Sequence, residues 1–204
     1  MLSDIDLCHM SAAAYSEAAE GWRAGDVLAV PWHIGDVTAI AFRGTVPSNA
    51  KDWVRDLDFC PTWRRRLGWC HRGFVTGAES VLPQIEKSER GRPLVFTGHS
   101  LGGAMALAAA ALLVRRCFDV RALVTFGAPR VGGPKLRRVL ANVRVTQYRN
   151  GNDPVSDVPW PYQHVRRLDL IGQAKLDPIS AHSLILYAAA LQTDRPGSGE
   201  YSEG

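Results

Sequence analysis

The apolar positions along the chain alternate between two rhythms. Ile5, Cys8, Ala12 and Tyr15 recur at helical spacing, which predicts an opening amphipathic helix over Asp4–Ser16. Two strand signals follow, Val27–Trp32 and Val37–Phe42, and the intervening His33-Ile34-Gly35-Asp36 predicts a hairpin between them. Asn49–Phe59 is short and mixed, with helical character. Pro61–His71 holds Arg64, Arg65 and Arg66 between Trp63 and Trp69 and reads as an exposed loop. Phe74–Ser88 reads as a helix, Leu94–Thr97 as a short, wholly apolar strand, and Leu101–Arg116 as a strong Ala/Leu helix. Arg121–Phe126 repeats the apolar strand signal. Pro134–Leu140 then predicts a short helix, Val143–Tyr148 and His164–Leu170 predict strands, and Ala181–Leu191 the last helix.

Strands alternating with helices imply an α/β fold, its central sheet largely parallel and covered by helices on both faces. No repeat, low-complexity segment or linker divides the 204 residues, so residues 1–192 are expected to form one domain. Residues 193–204 have nothing to bury and are expected to be a disordered tail.

Composition narrows the classes. With 46% apolar and 22% charged residues, the chain can bury a core. Its longest apolar run, between Gly103 and Arg115, is too short for a membrane span. The opening Met1-Leu2-Ser3-Asp4-Ile5-Asp6 is acidic where a secretory leader is basic, so the default expectation is a cytoplasmic compartment, with release by another route left open. The net charge of +4 comes from 20 Arg against 4 Lys, spread along the chain without a recognition motif, and no nucleic-acid partner is expected. Cys8, Cys60, Cys70 and Cys117 lack metal-ligand spacing; reduced thiols are expected, and a Cys60–Cys70 bridge would need an oxidising compartment.

The segment richest in chemistry is Val95-Phe96-Thr97-Gly98-His99-Ser100-Leu101-Gly102-Gly103-Ala104. An apolar strand runs into Gly-x-Ser-x-Gly, and a small-residue helix follows at once. Such an elbow strains the serine and lifts its hydroxyl above the sheet edge. Gly98 and Gly102 fall where a Cβ would collide with the tight chain path, and the helix N-terminus from Leu101 favours developing negative charge. A phosphate-binding loop fits poorly, because no Gly-Lys-Ser/Thr closes the segment.

A serine hydroxyl is a weak nucleophile and needs a histidine base held in one tautomer by a carboxylate. In the order serine, acid, histidine, two bases remain after the elbow: His182, in the loop entering the last helix, and His164, which also suits a surface position. His182 is the better candidate. His99, inside the elbow, is expected to point away from the serine side chain. Asp153, Asp157, Asp169 and Asp177 lie in the acid interval. Asp153 directly follows an apolar strand, where α/β sites collect; Asp157 is its rival in the same loop, and Asp177 suits a cap or turn.

With these residues placed, the chain resembles the class 3 lipases, the fungal triacylglycerol lipase family of α/β-hydrolases, from about Ala39 to Tyr187. Phe42-Arg43-Gly44-Thr45 is similar to the family's oxyanion loop, and Asp52-Trp53-Val54-Arg55-Asp56-Leu57 to its lid and the segment after it. His71-Arg72-Gly73-Phe74, the elbow, Thr125-Phe126-Gly127-Ala128-Pro129-Arg130-Val131-Gly132 and Asn152-Asp153-Pro154-Val155 follow in family order. The resemblance picks Asp153 and His182. It also implies an oxyanion hole from the N–H of Leu101 with the N–H and hydroxyl of Thr45, and a lid including Trp53, Val54 and Leu57. Asp157 departs from the family pattern, and the chain is shorter than typical members.

These readings lead to the expectation of a cofactor-free serine ester hydrolase that cleaves acylglycerol-type lipid esters through an acyl-enzyme on Ser100. It would have a small-molecule ester or lipid as substrate, transient contact with a lipid interface and no stable partner. Two other readings stay open: an esterase on soluble short-chain or aryl (feruloyl-type) esters, and a non-catalytic module binding an acyl or aromatic ligand or a protein. The Trp63–Trp69 segment suits anionic headgroups, against the plainer expectation that its tryptophans tuck onto the domain.

Overall fold

A capping box starts the first helix, α1 (Asp4–Ala13). The Asp6 amide donates to Ser3 Oγ at 3.3 Å, and the Ser3 amide donates to Asp6 Oδ2 at 2.9 Å, so two orphan donors are satisfied reciprocally. The buried face carries Leu7, Cys8 and Ser11, and Ser11 Oγ shares a 2.9 Å hydrogen bond with Thr97 Oγ1 in the central sheet. The computed structural model describes residues 2–44 and 60–193.

In chain order the described strands are β1 (Trp22–Ala24), β2 (Val27–Ile34), β3 (Val37–Phe42), β4 (Pro61–Arg64), β5 (Gly68–His71), β6 (Leu94–His99), β7 (Val120–Phe126), β8 (Arg144–Asn150) and β9 (Asp169–Ile171). Among the described residues the main sheet runs β1-β2-β3-β6-β7-β8-β9, and β4 pairs with β5 in a separate ribbon. The first three strands are antiparallel; β3, β6, β7, β8 and β9 are mutually parallel. Parallel pairing therefore gathers the carboxyl ends Phe42, His99, Phe126 and Asn150 on one edge, where α/β sites form.

Helices cover both faces, as the alternating pattern implies. On one side lie α2 (Arg72–Ser88), α3 (Leu101–Val114) and α4 (Pro134–Val139), around a core that includes Ile40, Phe74, Phe96 and Leu107. On the other side α1 and α5 (Leu184–Thr193) close over Val124, Phe126 and Tyr187. Gly102 through Leu113 of α3 are all buried, so this helix is apolar all round because it lies within the protein. Its small residues let the sheet and α2 approach closely.

The differences from the sequence expectations are local. Pro61–His71 is a hairpin, not a loop: Trp63 pairs with Trp69, Gly68 has φ +81°, and three arginines at and beside the turn masked the alternation. Both tryptophans face out, 53% and 61% exposed, so neither tucks onto the domain. The hairpin tip reaches the far end of α3 from Ser100, where Arg66 donates to the Arg115 carbonyl. The edge strand β1 is too short to show a period. His164–Leu170 contracts to Asp169–Ile171, since the Val165 and Arg166 amides donate to the Gln147 side-chain oxygen instead of to the backbone of β8. The last helix begins at Leu184 after a 3-10 turn over Ser180–His182, and it runs through Thr193. The expected tail beyond it lies outside the described residues.

Candidate active site

Ser100 sits between β6 and α3 with φ +57° and ψ −131°, a conformation that costs a non-glycine residue about 1–3 kcal/mol. Its amide donates to the Phe126 carbonyl at 3.0 Å and its carbonyl accepts from the Ala104 amide at 3.2 Å, so neighbouring structure holds the strain. As the first residue of α3, Leu101 has no carbonyl within the helix for its amide to reach. Gly102 is required by the end of β3: a Cβ there would strike the Phe42 carbonyl oxygen and lie 2.7 Å from the Gly44 amide. The strand leading to Thr45 thus lies against the first turn of α3. Thr45 itself and the expected lid residues Trp53, Val54 and Leu57 lie outside the described residues.

Asp153 follows β8 and is fully buried. His182 Nδ1 donates to its Oδ2 at 2.8 Å, Tyr187 Oη to the same oxygen at 2.6 Å, and the Val155 amide to Oδ1 at 2.9 Å. Burial works to raise the carboxyl's pKa, but the hydrogen bond and charge of His182, with those from Tyr187 and Val155, outweigh it. Asp153 is therefore held ionised, below the ordinary carboxylate value. Burial beside this carboxylate pushes the Tyr187 phenol well above its ordinary pKa, so it stays a donor.

Two asparagines clamp the acid loop to the histidine-bearing segment. Asn150 Nδ2 donates to the Ala181 carbonyl at 2.9 Å. Asn152 donates to the Lys175 carbonyl and accepts from its amide, each at 2.9 Å. Gly127, with φ +58° at the end of β7, faces the couple: a Cβ there would lie 2.7 Å from Asp153 Oδ2 and 2.9 Å from His182 Nδ1.

The His182 ring packs 4.4 Å from that of His99, the residue before Ser100. The elbow, the acid and the imidazole thus share one sheet edge. His99 has its own partners. Its Nε2–H donates to the His182 carbonyl at 2.8 Å, and Tyr15 Oη lies 3.3 Å from its Nδ1. Burial, then the adjacent His182, push its pKa down to about 3, so it stays neutral.

The rival residues are engaged elsewhere. His164 is lowered by burial and donates its Nε2–H to the Ser156 carbonyl at 2.6 Å, which fixes the loop after Asp153. Asp157 is exposed and pairs with Arg149 at 3.0 Å and Arg130 at 3.7 Å. Asp177 accepts from the Ile179 amide at 3.3 Å, a turn contact. Sequence reasoning missed Tyr187, Asn150, Asn152 and Tyr15. Among these only Asn150 and Asn152 carried a signal, through their place beside Asp153. Cys8, Cys60, Cys70 and Cys117 are free thiols.

A sequence model of the family described as Lipase (class 3) matches residues 39–163, more than half of the chain. The chain belongs to the class 3 lipases. Of related proteins, the secreted mono- and diacylglycerol lipase 1 of Fusarium solani is 32% identical over 139 residues, covering 61% of this chain and 41% of that protein. The lipase of Rhizomucor miehei is 31% identical over 128 residues, covering 56% and 34%. The chain thus spans less than half the length of the curated relatives it matches. Among solved structures, the Rhizomucor miehei triacylglyceride lipase superposes with a TM-score of 0.65 at 22% identity, over 81% of this chain and 77% of that one, which shows a common α/β-hydrolase fold. A triacylglycerol lipase whose catalytic centre is described as a serine protease triad gives a TM-score of 0.59 at 25% identity, over 75% and 64%.

In this class 3 lipase chain the family match holds Ser100 and Asp153, while His182, Tyr187 and Tyr15 fall outside it. The expected cytoplasmic compartment is overturned. The Fusarium solani and Penicillium cyclopium relatives are named as secreted, against that expectation. The acidity of an opening segment is no measure of where a chain is delivered.

Proposed function

We propose that this chain is a serine carboxylic-ester hydrolase acting on acyl esters of lipids, of the acylglycerol type, with residues 1–192 as its one catalytic domain. The observation that carries the reading is the Asp153–His182 couple, 2.8 Å across, beside the strained Ser100 elbow. Asp153 fixes Nδ1 of His182 as the protonated nitrogen and leaves Nε2 as the base. His182 takes the Ser100 proton, Ser100 attacks the ester carbonyl, and the oxyanion rests on the amide of Leu101 and on Thr45. His182 then protonates the departing alcohol, and water, activated by the same imidazole, releases the fatty acid and restores Ser100. Each oxyanion donor contributes about 10²–10³ in kcat.

The acylglycerol substrate class is supported by the names of the relatives from Fusarium solani and Penicillium cyclopium. Transient contact with a lipid interface is supported by Trp160, Leu176 and Ile185, which stand 80%, 109% and 79% exposed on the segments that follow Asp153 or flank His182. A fluorophosphonate probe and p-nitrophenyl butyrate test the reaction. The unaltered protein should label at Ser100 and turn over, and Ser100→Ala should lose both, with kcat down by up to about 10⁶-fold. Undiminished turnover by Ser100→Ala would end the proposal.

A further inference from the structure

Two polar side chains at the elbow have no part in the serine–acid–base exchange, and they are bonded to each other. Tyr15 follows α1, whose end is fixed to β6 by the buried Ser11–Thr97 hydrogen bond at 2.9 Å. A Cβ on Gly44 would strike the Tyr15 hydroxyl, so that hydroxyl packs directly against the Gly44 backbone. Tyr15 Oη lies 3.3 Å from His99 Nδ1, and His99 Nε2 lies 2.8 Å from the carbonyl oxygen of His182.

The proton positions follow from what each partner can do. A carbonyl only accepts, so His99 carries its hydrogen on Nε2, and Nδ1 presents a lone pair. The Tyr15 hydroxyl proton then has two acceptors on His99, Nδ1 at 3.3 Å and the carbonyl oxygen at 3.5 Å, while its oxygen lies against the Gly44 backbone. A continuous run of contacts therefore leads from the Gly44 backbone through Tyr15 and His99 to the His182 carbonyl. Burial keeps both groups in the states this path needs, lowering His99 to about 3 and raising Tyr15 to about 12.

The two ends of the path matter. Gly44 directly precedes Thr45, the residue to which the family resemblance gives an oxyanion role, and His182 is the proposed base. We propose that Tyr15 and His99 are positioning residues, a strut that fixes the oxyanion loop and the catalytic base at one separation across the Ser100 elbow. This rests on the ester-hydrolase reading. Its physical content is that a hydroxyl delivered from the end of α1, outside the segment shared with the family, is tied to both halves of the reacting centre.

The test uses four variants of the full chain: Tyr15→Phe, His99→Phe, their combination, and His99→Gln, which restores one donor and one acceptor. Measured for each are kcat and KM on p-nitrophenyl butyrate, the rate of fluorophosphonate labelling and the melting temperature. Tyr15→Phe should lower kcat and labelling by about ten- to a hundredfold, the scale of a small misplacement, with KM and melting temperature little changed. His99→Phe should match it, the double variant should be no worse than the worse single, and His99→Gln should recover most of the loss. Parental kcat in Tyr15→Phe, losses that multiply in the double variant, or losses that simply track melting temperature would each overturn the strut. An unaltered protein that neither labels nor hydrolyses removes the reading beneath it, and the strut falls with it. That failure is distinct from an active parent whose variants are unaffected.

Discussion

The hydroxyl of Tyr187 donates to Asp153 Oδ2 across 2.6 Å, onto the same oxygen that receives the Nδ1–H of His182. Asp153 lies fully buried, so each of these donors offsets part of the burial that opposes its charge. A carboxyl whose folded pKa is depressed contributes stability above its unfolded pKa and loses it as pH falls through the folded value. Tyr187→Phe should bring that loss to a higher pH and cost about 1.5–3 kcal/mol at neutral pH, the size of a hydrogen bond to a charged group. Urea midpoints measured from pH 7 down to 3 check this; identical curves for the two proteins would sink it.

Asp153 and Asp157 separate cleanly by the company they keep. Asp153→Asn leaves His182 facing a carboxamide that can favour the wrong tautomer, and kcat should fall by about 10³–10⁴-fold with KM little changed. Asp157 is exposed and salt-bridged to arginines, and Asp157→Asn should alter kcat by less than about twofold. Comparable losses in both variants would mean that the acid role is shared or has been placed on the wrong loop.

Much of this arrangement was legible in the sequence, because its signals are local. Leu94-Val95-Phe96 running into Gly-x-Ser-x-Gly reads as a buried strand, Gly98 and Gly102 mark close backbone approach, and Asp153 stands a few residues beyond the strand signal of Val143–Tyr148. What the sequence concealed depends on distance. Tyr187 looks like one more apolar face residue of the last helix until β8 and α5 bring its hydroxyl to Asp153. Tyr15 lies 84 residues from His99, and nothing in either neighbourhood marks the other. The Trp63–Trp69 pairing was hidden for a different reason: the arginines at the turn carry a charge signal that outweighs a four-residue alternation. Order left His164 and His182 as candidate bases, and only the place of His182 in the loop entering the last helix favoured it; its 3-10 turn was not legible, since Ser180 and Ala181 also suit the start of a helix.

His99 makes acid sensitivity a second measurable property. Its folded pKa of about 3 lies well below the ordinary 6.5, so between these values the unfolded chain binds a proton that the folded chain refuses. Stability should therefore be complete above about pH 6.5 and, once well below it, fall by about 1.4 kcal/mol per pH unit through this one group. His99→Phe cannot take up that proton, and its stability should decline less steeply between pH 6.5 and 4 than that of the unaltered protein. Equal slopes would show that His99 contributes nothing to the acid limb, and would leave that limb to other groups, among them the half-buried His164, whose pKa is also lowered, and Asp153.

The exposed apolar side chains near the candidate site decide between lipid and soluble esters. Trp160, Leu176 and Ile185 contribute little to the core, since each is almost wholly in solvent. In water they only add apolar surface; at a lipid interface each gains up to about 1.5–3 kcal/mol if fully buried. Replacing all three with serine should leave kcat and KM on dissolved p-nitrophenyl butyrate within about twofold, as expected for surface positions. The rate on an emulsified diacylglycerol should fall by about tenfold or more, because even partial burial of three such side chains exceeds the 1.4 kcal/mol of a tenfold change in partition. If the emulsion rate is unchanged and the unaltered protein saturates smoothly through the solubility limit, the exposed residues do not serve an interface. The soluble-ester reading would then take the place of the lipid one, with the same serine, acid and base.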